Sequence, residues 1–273
     1  MLKTRIITAL ILVAGFIPAL FKLPNIYWAI ATLGVTLLAL REWASMAGFN
    51  KMRINGYLAI SVLLGLFVLL RLQHNNTHHF FFQSLLIFSV ATFFWVLIVP
   101  IWLAKQFRLN NIIAKALLGW LLMIPLWLAL ICAKMVDPLL VLVLLATIWI
   151  ADSTAYFAGK NFGKHKLAPS ISPGKTWEGV AGALLGVTFF GVLLRFGFHV
   201  NNWAIFPVLW IATAFGVIGD LFESMIKRQA NLKDSGDLLP GHGGILDRID
   251  GIIPSMPIAI LMIYTYHFYV SNP

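Results

Sequence analysis

The chain has 273 residues, of which 60% are hydrophobic and 11% charged, and its formal net charge is +10. Apolar side chains at this density would cover the exterior of a soluble core as well as fill it, which excludes an ordinary water-soluble protein. The cations are spread along the chain instead of being gathered on one polar domain, which argues against nucleic-acid binding.

Hydrophobic runs of about 20 residues, the length that crosses roughly 30 Å of hydrocarbon, recur from one end to the other. We favour an uncleaved first helix over a signal peptide, because no small-residue cleavage site follows Phe16 and a second span begins at once. The single cysteine, Cys132, excludes an intramolecular disulfide and a multi-cysteine metal site. The expected fold is all-α and polytopic, with about nine transmembrane helices, at 6–21, 25–45, 56–72, 80–104, 112–133, 138–157, 176–194, 203–226 and 252–270.

The placement of Lys and Arg predicts the orientation, because cytoplasmic loops collect these residues. With the N-terminus in the cytoplasm, sixteen of the twenty cations fall on the inner side, and the outer side keeps Lys22, Arg71, Lys134 and Arg195. One helix more or fewer would place every later loop on the opposite side of the membrane, and the excess of cations on the inner side would be lost. We therefore expect a cytoplasmic N-terminus, a C-terminus outside and contact with the anionic lipids of the inner leaflet.

Acidic residues divide the chain into two regions. Residues 1–136 contain one, Glu42, whereas eight of the ten lie between Asp152 and Asp250. We interpret this asymmetry as an N-terminal hydrophobic transmembrane region and a C-terminal transmembrane region that carries the chemistry. The boundary gives regions 1–137 and 138–273, and the second contains two long polar connections predicted on the cytoplasmic side, 158–175 and 227–251.

The first of these connections leads into a predicted anion site. Ser172 followed by Pro173 predicts a helix N-cap with proline at the first helical position, where free amide hydrogens can bind an anion. Lys175 would then lie in the first turn, a position that the helix dipole disfavours unless an anion binds as well. Glu178 is free to pair with Lys175, and the residues leave open whether it makes this structural contact or has a role in the site. Earlier in the chain, Asp152 is either satisfied by neighbouring side chains or part of the site, and the residues leave both open.

Gly182 and Gly186, spaced four apart in the seventh span, predict close packing of helices more than they predict chemistry. In the eighth span, Asp220 precedes Lys227 by seven residues, which on a helix places its carboxylate about 10 Å deeper. A carboxylate at that depth usually faces a polar cavity or partner. Glu223 and Ser224 share its helix face, and an ion pair of either acid with Lys227 is the structural alternative.

Two further acids, Asp247 and Asp250, lie at the entry to the last span. Together with Asp220 and Glu223 from the end of the eighth span, they supply hard oxygen ligands, which favour Mg²⁺ over Zn²⁺. Between them and the eighth span lies His242, set among Gly241, Gly243 and Gly244, on a backbone that can approach a phosphate closely. The residue chemistry thus predicts a magnesium and phosphate site at the membrane surface.

The segment Ser224-x-Ile-Lys-Arg-x4-Lys233-Asp-x-Gly-x2-Leu-Pro-x-His-Gly-Gly-Ile-x-Asp-Arg-Ile-Asp250 resembles the signature of the phosphatidate cytidylyltransferases, or CDP-diacylglycerol synthases. Asp152-Ser-x-Ala-Tyr-x-x-Gly159 and Ser172-Pro-Gly-Lys-Thr-x-Glu-Gly179 also resemble elements of that family. The resemblance covers about 150–251, whereas the N-terminal half is similar only in hydrophobic pattern and length.

The resemblance implies that CTP and phosphatidic acid react, with Mg²⁺ and with a second cation left open, to give CDP-diacylglycerol and pyrophosphate. Carried onto this sequence, it implies that Asp220, Asp247 and Asp250 bind metal. The implied catalytic set is Asp220, Asp247, Lys227, Arg228 and Arg248, and the implied substrate-binding set is Lys175, Ser172, Ser224, Lys233, His242, Gly243 and Gly244. A bacterial inner membrane with the site facing the cytoplasm is the expected location, membrane lipids are expected partners, and a homodimer is left open.

Two other classes of function are compatible with acids inside a membrane protein. An ion-coupled transporter of an anionic substrate would use them to couple ion movement to transport, although such sites usually lie at the midplane between inverted repeats. An ATP-dependent lipid kinase shares the requirement for Mg²⁺. Nucleotide competition between CTP and ATP, and uptake into liposomes, separate these alternatives from the cytidylyltransferase.

Overall fold

Helices dominate the computed structural model, which describes residues 2–74, 77–198, 200, 202–238, 241 and 243–271. Each of the predicted spans is helical, and most helices extend a few residues beyond the predicted ends. The helices are α1 (Leu2–Lys22), α2 (Asn25–Met46), α3 (Lys51–His74), α4 (Thr77–Phe93), α5 (Val99–Lys105), α6 (Ile112–Val136), α7 (Pro138–Phe162), α8 (Trp177–Val192), α9 (Ile205–Gln229), α10 (Leu246–Ile249) and α11 (Ile252–Ser271).

Two helices continue through a π-helical turn, Phe94–Ile98 between α4 and α5 and Leu193–Gly197 after α8. The first precedes Pro100, which lacks a backbone N–H and so cannot complete the hydrogen-bonding pattern of a regular α-helix. The chain nevertheless continues as one apolar helix from His79 to Lys105.

Seven helices of the described part of the chain are long and apolar enough to cross a membrane, judged by length and composition. They begin with α3, and many of their outward side chains, such as Leu86, Leu185 and Phe189, are more than half exposed. Such exposed apolar surface is stable against lipid and not against water. The protein is therefore an integral membrane protein. Crossings by α1 and α2, the total of nine and the orientation of the termini stay predictions.

The prediction of an all-α fold is incomplete, because a short antiparallel hairpin follows α7. Its strands are β1 (Lys166–Ala168) and β2 (Ser172–Thr176), paired Lys166 with Thr176 and Ala168 with Ser172. Ser172 therefore lies in a strand, and the predicted N-cap at this residue is wrong. The N-cap of α8 is Thr176, whose hydroxyl oxygen accepts a hydrogen bond from the amide of Gly179 at 3.1 Å.

The glycines of α8 allow it to pack closely along α7. A Cβ atom at Gly186 would lie 2.5 Å from Cγ2 of Thr154, and one at Gly182 would collide with the side chain of Ala158. Glycine at these positions brings the two backbones together, as in other membrane helix pairs. The packing role predicted for Gly182 and Gly186 is confirmed.

Helix α6 lies against four others, α2, α4, α7 and α11. Large side chains such as Trp28, Trp127 and Phe222 are fully buried in the common core. The indole N–H of Trp127 donates to the carbonyl oxygen of Ala29 on α2 at 3.0 Å, so its polar atom is satisfied within the apolar core. Cys132 is buried in the same core.

Candidate active site

A cleft of roughly 430 Å³ opens between α7, the hairpin, the first turn of α8 and α9. Its volume is in the range of small-molecule sites. The charged side chains that line it are two carboxylates, Asp152 from α7 and Asp220 from α9, and two ammonium groups, Lys160 and Lys175. The cleft therefore offers both hard oxygen donors and cations to a phosphorylated ligand.

Lys175 and Asp220 form an ion pair across the cleft. Lys175 projects from β2, and the side chains of the two residues are 23% and 35% exposed. Ser224, one turn further along α9, lies 3.3 Å from the second carboxylate oxygen of Asp220. Asp152 is close enough to both partners for their charges to interact. Because the pair is partly exposed, both groups remain accessible to a ligand in the cleft.

The hairpin that carries Lys175 is held at both of its ends. At its start, the Nδ1 atom of His165 lies 2.6 Å from Oε1 of Glu178 in the first turn of α8. At its turn, the side-chain amide Nε2 of Gln106 donates to Ser170 Oγ at 2.7 Å. The pairing of Glu178 with Lys175 that the spacing allowed is not formed, since Glu178 pairs with His165 and Lys175 reaches Asp220.

A second charged cluster lies where α9 ends and α10 begins. The ammonium group of Lys227 is 2.8 Å from Oε2 of Glu223, one turn earlier on α9, and 2.6 Å from Oδ1 of Asp247. All three side chains are 13% exposed or less. The ion pair of Glu223 with Lys227, which the sequence offered as a structural alternative, is present, whereas Asp220 pairs with Lys175 instead.

Asp247 also orders the loop that precedes it. Its Oδ2 atom accepts hydrogen bonds from the amides of Ser235 and Gly244, each at 2.9 Å, and lies 3.1 Å from the Ser235 hydroxyl. Gly243 has a φ of +82°, and a Cβ atom there would lie 2.8 Å from Oδ2 of Asp247. Position 243 therefore requires glycine, both for its positive φ and because a side chain would collide with Asp247.

Both oxygens of Asp247 thus have protein partners in this structure. Asp250 lies nearby, accepting from the amide of Gly251 at 2.7 Å, with its charge close to those of Asp220 and Glu223. Within the described residues no group of three or more His, Cys, Asp or Glu side chains is arranged as a metal site. The carboxylates that face the cleft, Asp220 and Asp152, are the hard oxygen donors best exposed to a cation there.

The other predicted site residues are distributed around these two clusters. Arg228 is exposed and donates to the carbonyl oxygen of Leu232 at 3.4 Å, and Lys233 is exposed on the loop. The charge of Arg248 interacts with that of Asp152.

Gly243 and Gly244 form the turn before α10, and Ser172 lines the cleft. His242 lies outside the described residues.

Sequence reasoning missed Glu42 as part of this region. Its carboxylate accepts hydrogen bonds from the amides of Ile245 and Leu246 at 2.9 and 3.0 Å and from the Ser235 hydroxyl at 3.1 Å. The signal was available, because Glu42 is the one acid among residues 1–136 and stands within an apolar helix. A carboxylate in such a place requires polar partners, but the sequence does not show which.

Comparison with known proteins gives consistent relatives. A model of the Cytidylyltransferase family matches residues 3–266. The chain is 34% identical to a phosphatidate cytidylyltransferase of Haemophilus influenzae, over 94% of this chain and 96% of that protein. It is 35% identical to a phosphatidate cytidylyltransferase of Pseudomonas aeruginosa over 97% of each chain, and 31% identical to one of Staphylococcus aureus over 96% and 99% of the two chains.

Proposed function

The chain belongs to the cytidylyltransferase family, and from that premise we propose that it transfers the cytidylyl group of CTP to phosphatidic acid. The products are CDP-diacylglycerol, a precursor for phospholipid synthesis, and pyrophosphate. The observation that carries this proposal is the cleft in which Asp152 and Asp220 meet Lys160 and Lys175. Family membership does not favour the transporter or the lipid kinase.

The reaction requires two anions to approach each other. An ionised phosphate oxygen of phosphatidic acid attacks the α-phosphorus of CTP, a new P–O bond forms, and the bond from that phosphorus to the bridging oxygen of the β-phosphate breaks. Pyrophosphate leaves with the bonding electron pair. The lipid supplies its own ionised nucleophile at neutral pH, so positioning and charge stabilisation are the contributions required of the protein.

Lys175 is the cation best placed for this task. It reaches into the cleft from the hairpin and is held there by Asp220. Phosphate oxygens entering the cleft would compete for its ammonium group and gain stabilisation as charge develops on the departing pyrophosphate. Lys160, which lies on α7 one turn after Tyr156, adds a second positive charge at the same opening.

Mg²⁺ fits the donors of the cleft. Asp220 and Asp152 would hold it, with phosphate oxygens or water completing the coordination, as Mg²⁺ prefers in nucleotide sites. When bound, it would supply positive charge against phosphate oxygens. The roles proposed for Asp247 and Asp250 as further ligands require Asp247 to exchange its contact with Lys227 for the metal. The second cation stays open.

The location proposed for the enzyme is the bacterial inner membrane, with the cleft facing the cytoplasm. Support comes from the sixteen cations that the predicted topology assigns to the inner side and from the availability of CTP in that compartment. The acyl chains of phosphatidic acid would remain in the bilayer while its phosphate enters the cleft. A homodimer is compatible with this arrangement.

The test uses CTP labelled at two different positions. Purified protein in detergent is incubated with phosphatidic acid, Mg²⁺ and CTP labelled in the α-phosphate, and the lipid is extracted. The lipid should carry label only when all components are present. CTP labelled in the γ-phosphate should leave the lipid unlabelled and release labelled pyrophosphate. Lipid labelled from the γ-phosphate would instead demonstrate a kinase, and no lipid label in folded protein would refute the proposal.

A further inference from the structure

Glu42 lies on α2, in the region that carries no other acid, yet its carboxylate contacts the loop that precedes α10. The side chain is buried, with 8% of the residue exposed. It accepts from two consecutive backbone amides, Ile245 and Leu246, and from the Ser235 hydroxyl. The sequence separation of about 200 residues means that these bonds join the two halves of the chain.

The loop fits closely around this carboxylate. A Cβ atom at Gly236 would lie 2.9 Å from Oε1 of Glu42, and one at Gly244 would lie 2.5 Å from Oε2. Real Cβ atoms essentially never come so close. The two glycines therefore allow the backbone to approach Glu42, and a larger residue at either position would displace the loop from it.

The same loop leads directly to the charged cluster. Ser235 donates to both carboxylates, its hydroxyl to Oε2 of Glu42 at 3.1 Å and its backbone amide to Oδ2 of Asp247 at 2.9 Å. Asp247 in turn contacts Lys227 through its other oxygen. A continuous network thus runs from Glu42 through Ser235 and Asp247 to the end of α9.

Glu42 itself does not touch the reacting groups. It is absent from the lining of the cleft, and among the described residues it forms no ion pair within 4.0 Å. Two amides and a hydroxyl satisfy a buried carboxylate without a cation, since hydrogen bonds to a charged acceptor are among the stronger ones. Its contacts are therefore suited to fixing a backbone.

We propose that Glu42 is a positioning residue of the cytidylyl transfer, holding Ser235, Ile245 and Leu246 so that Asp247 keeps its place near the end of α9. This inference rests on the proposed function. Replacement of Glu42 by Gln substitutes an amide donor for one carboxylate oxygen, so at least one loop amide loses its acceptor. The loop should then open more often while the rest of the fold is retained.

The first readout is hydrogen exchange of the peptide that contains Ile245 and Leu246, measured on the full chain in detergent. Loss of hydrogen bonds to a charged acceptor should speed its exchange about 10- to 100-fold in Glu42→Gln, with α6 and α7 unchanged. Arg41→Gln is the matched control, because Arg41 is the exposed neighbour on the same helix. It should leave exchange in that peptide as it is in the wild type.

The second readout separates positioning from a purely structural role. Per folded molecule, Glu42→Gln should lower kcat about tenfold or more, with KM for CTP changed by less than about threefold, because the transition state and not ground-state binding needs the loop. Ser235→Ala removes the hydroxyl that bonds Glu42 and keeps the amides of Ile245 and Leu246 bonded to it. It should lower kcat by less than Glu42→Gln does.

Each outcome decides the matter. Local loss of protection together with lower kcat supports positioning. Unchanged kcat per folded molecule, or protection lost equally in α6 and α7, overturns it in favour of a structural role. If Glu42→Gln does not fold, Ser235→Ala decides, and wild-type exchange and kcat in that variant overturn the proposal. Wild-type protein that makes no labelled lipid would instead refute the proposed function, a result that needs no variant for comparison.

Discussion

Substitution of Asp220 by Asn tests the cleft most directly, because it removes a charge at nearly constant volume. The carboxylate is 35% exposed, and its partner Lys175 is 23% exposed, so their ion pair is screened by water and should contribute less than about 1 kcal/mol to folding. The melting temperature in detergent should therefore remain close to that of the wild type.

Catalysis should respond far more strongly than stability. Loss of one charged group that pairs with Lys175 and is proposed to hold Mg²⁺ should lower kcat about 10²- to 10³-fold, the size seen when one electrostatic contact to a transition state is removed. The assay is transfer of α-phosphate label from CTP to extracted lipid, over a range of Mg²⁺ concentrations. If Asp220 holds the metal, the variant should also require a higher Mg²⁺ concentration for its remaining activity.

Asp237→Asn is the matched control for this experiment. It makes the same chemical change in an exposed position of the loop, away from the cleft lining, and most activity should remain. Turnover by folded Asp220→Asn within about threefold of the wild type would refute the assignment of the site. An equal loss in both variants would show that the metal site has been misplaced.

Three further predictions test other parts of the structure. Lys227→Met leaves the two buried carboxylates that contact it without a cation, and should lower the free energy of unfolding by about 3–5 kcal/mol, measured by denaturation in detergent; an unchanged stability would contradict the ion pairs. Gly186→Leu should separate α7 from α8 and lower the free energy of unfolding by about 1–3 kcal/mol. Gly34→Ala, with nothing within 4 Å of the added atom, should leave it unchanged. Equal melting temperatures for the two variants would contradict the close packing of α7 and α8. In a Cys132→Ser background, Asp237→Cys should react with an impermeant maleimide only from the cytoplasmic side of sealed vesicles, and labelling from outside would reverse the topology.

The correct predictions from sequence share a physical basis, which is that they depend on local composition. A run of about 20 apolar residues cannot remain in water, so the order of residues alone places the helical spans. The small residues of α8 indicated a close helix contact, since the absence of a side chain at Gly182 and Gly186 is visible in the chain itself. The motif around Asp247 likewise identified the family.

The errors arose where two energetically similar local structures compete. Ser172 followed by Pro173 satisfies the rules for a helix start, yet this segment pairs with Lys166–Ala168 as a strand and the helix begins after Thr176. Thr176 is also a good N-cap. Local preferences therefore allowed either start, and pairing with the strand just upstream decided between them.

The sequence by itself determined that the chain is a membrane protein, where its helices lie and which residues carry charge within them. Only the tertiary structure decided which of these charges meet: Lys175 with Asp220, Lys227 with both Glu223 and Asp247, and Glu42 with a loop about 200 residues away. Composition shows that a buried charge needs a partner, because leaving it unpaired is costly. The choice of partner depends on how the helices are rotated and packed against one another, which no single segment specifies.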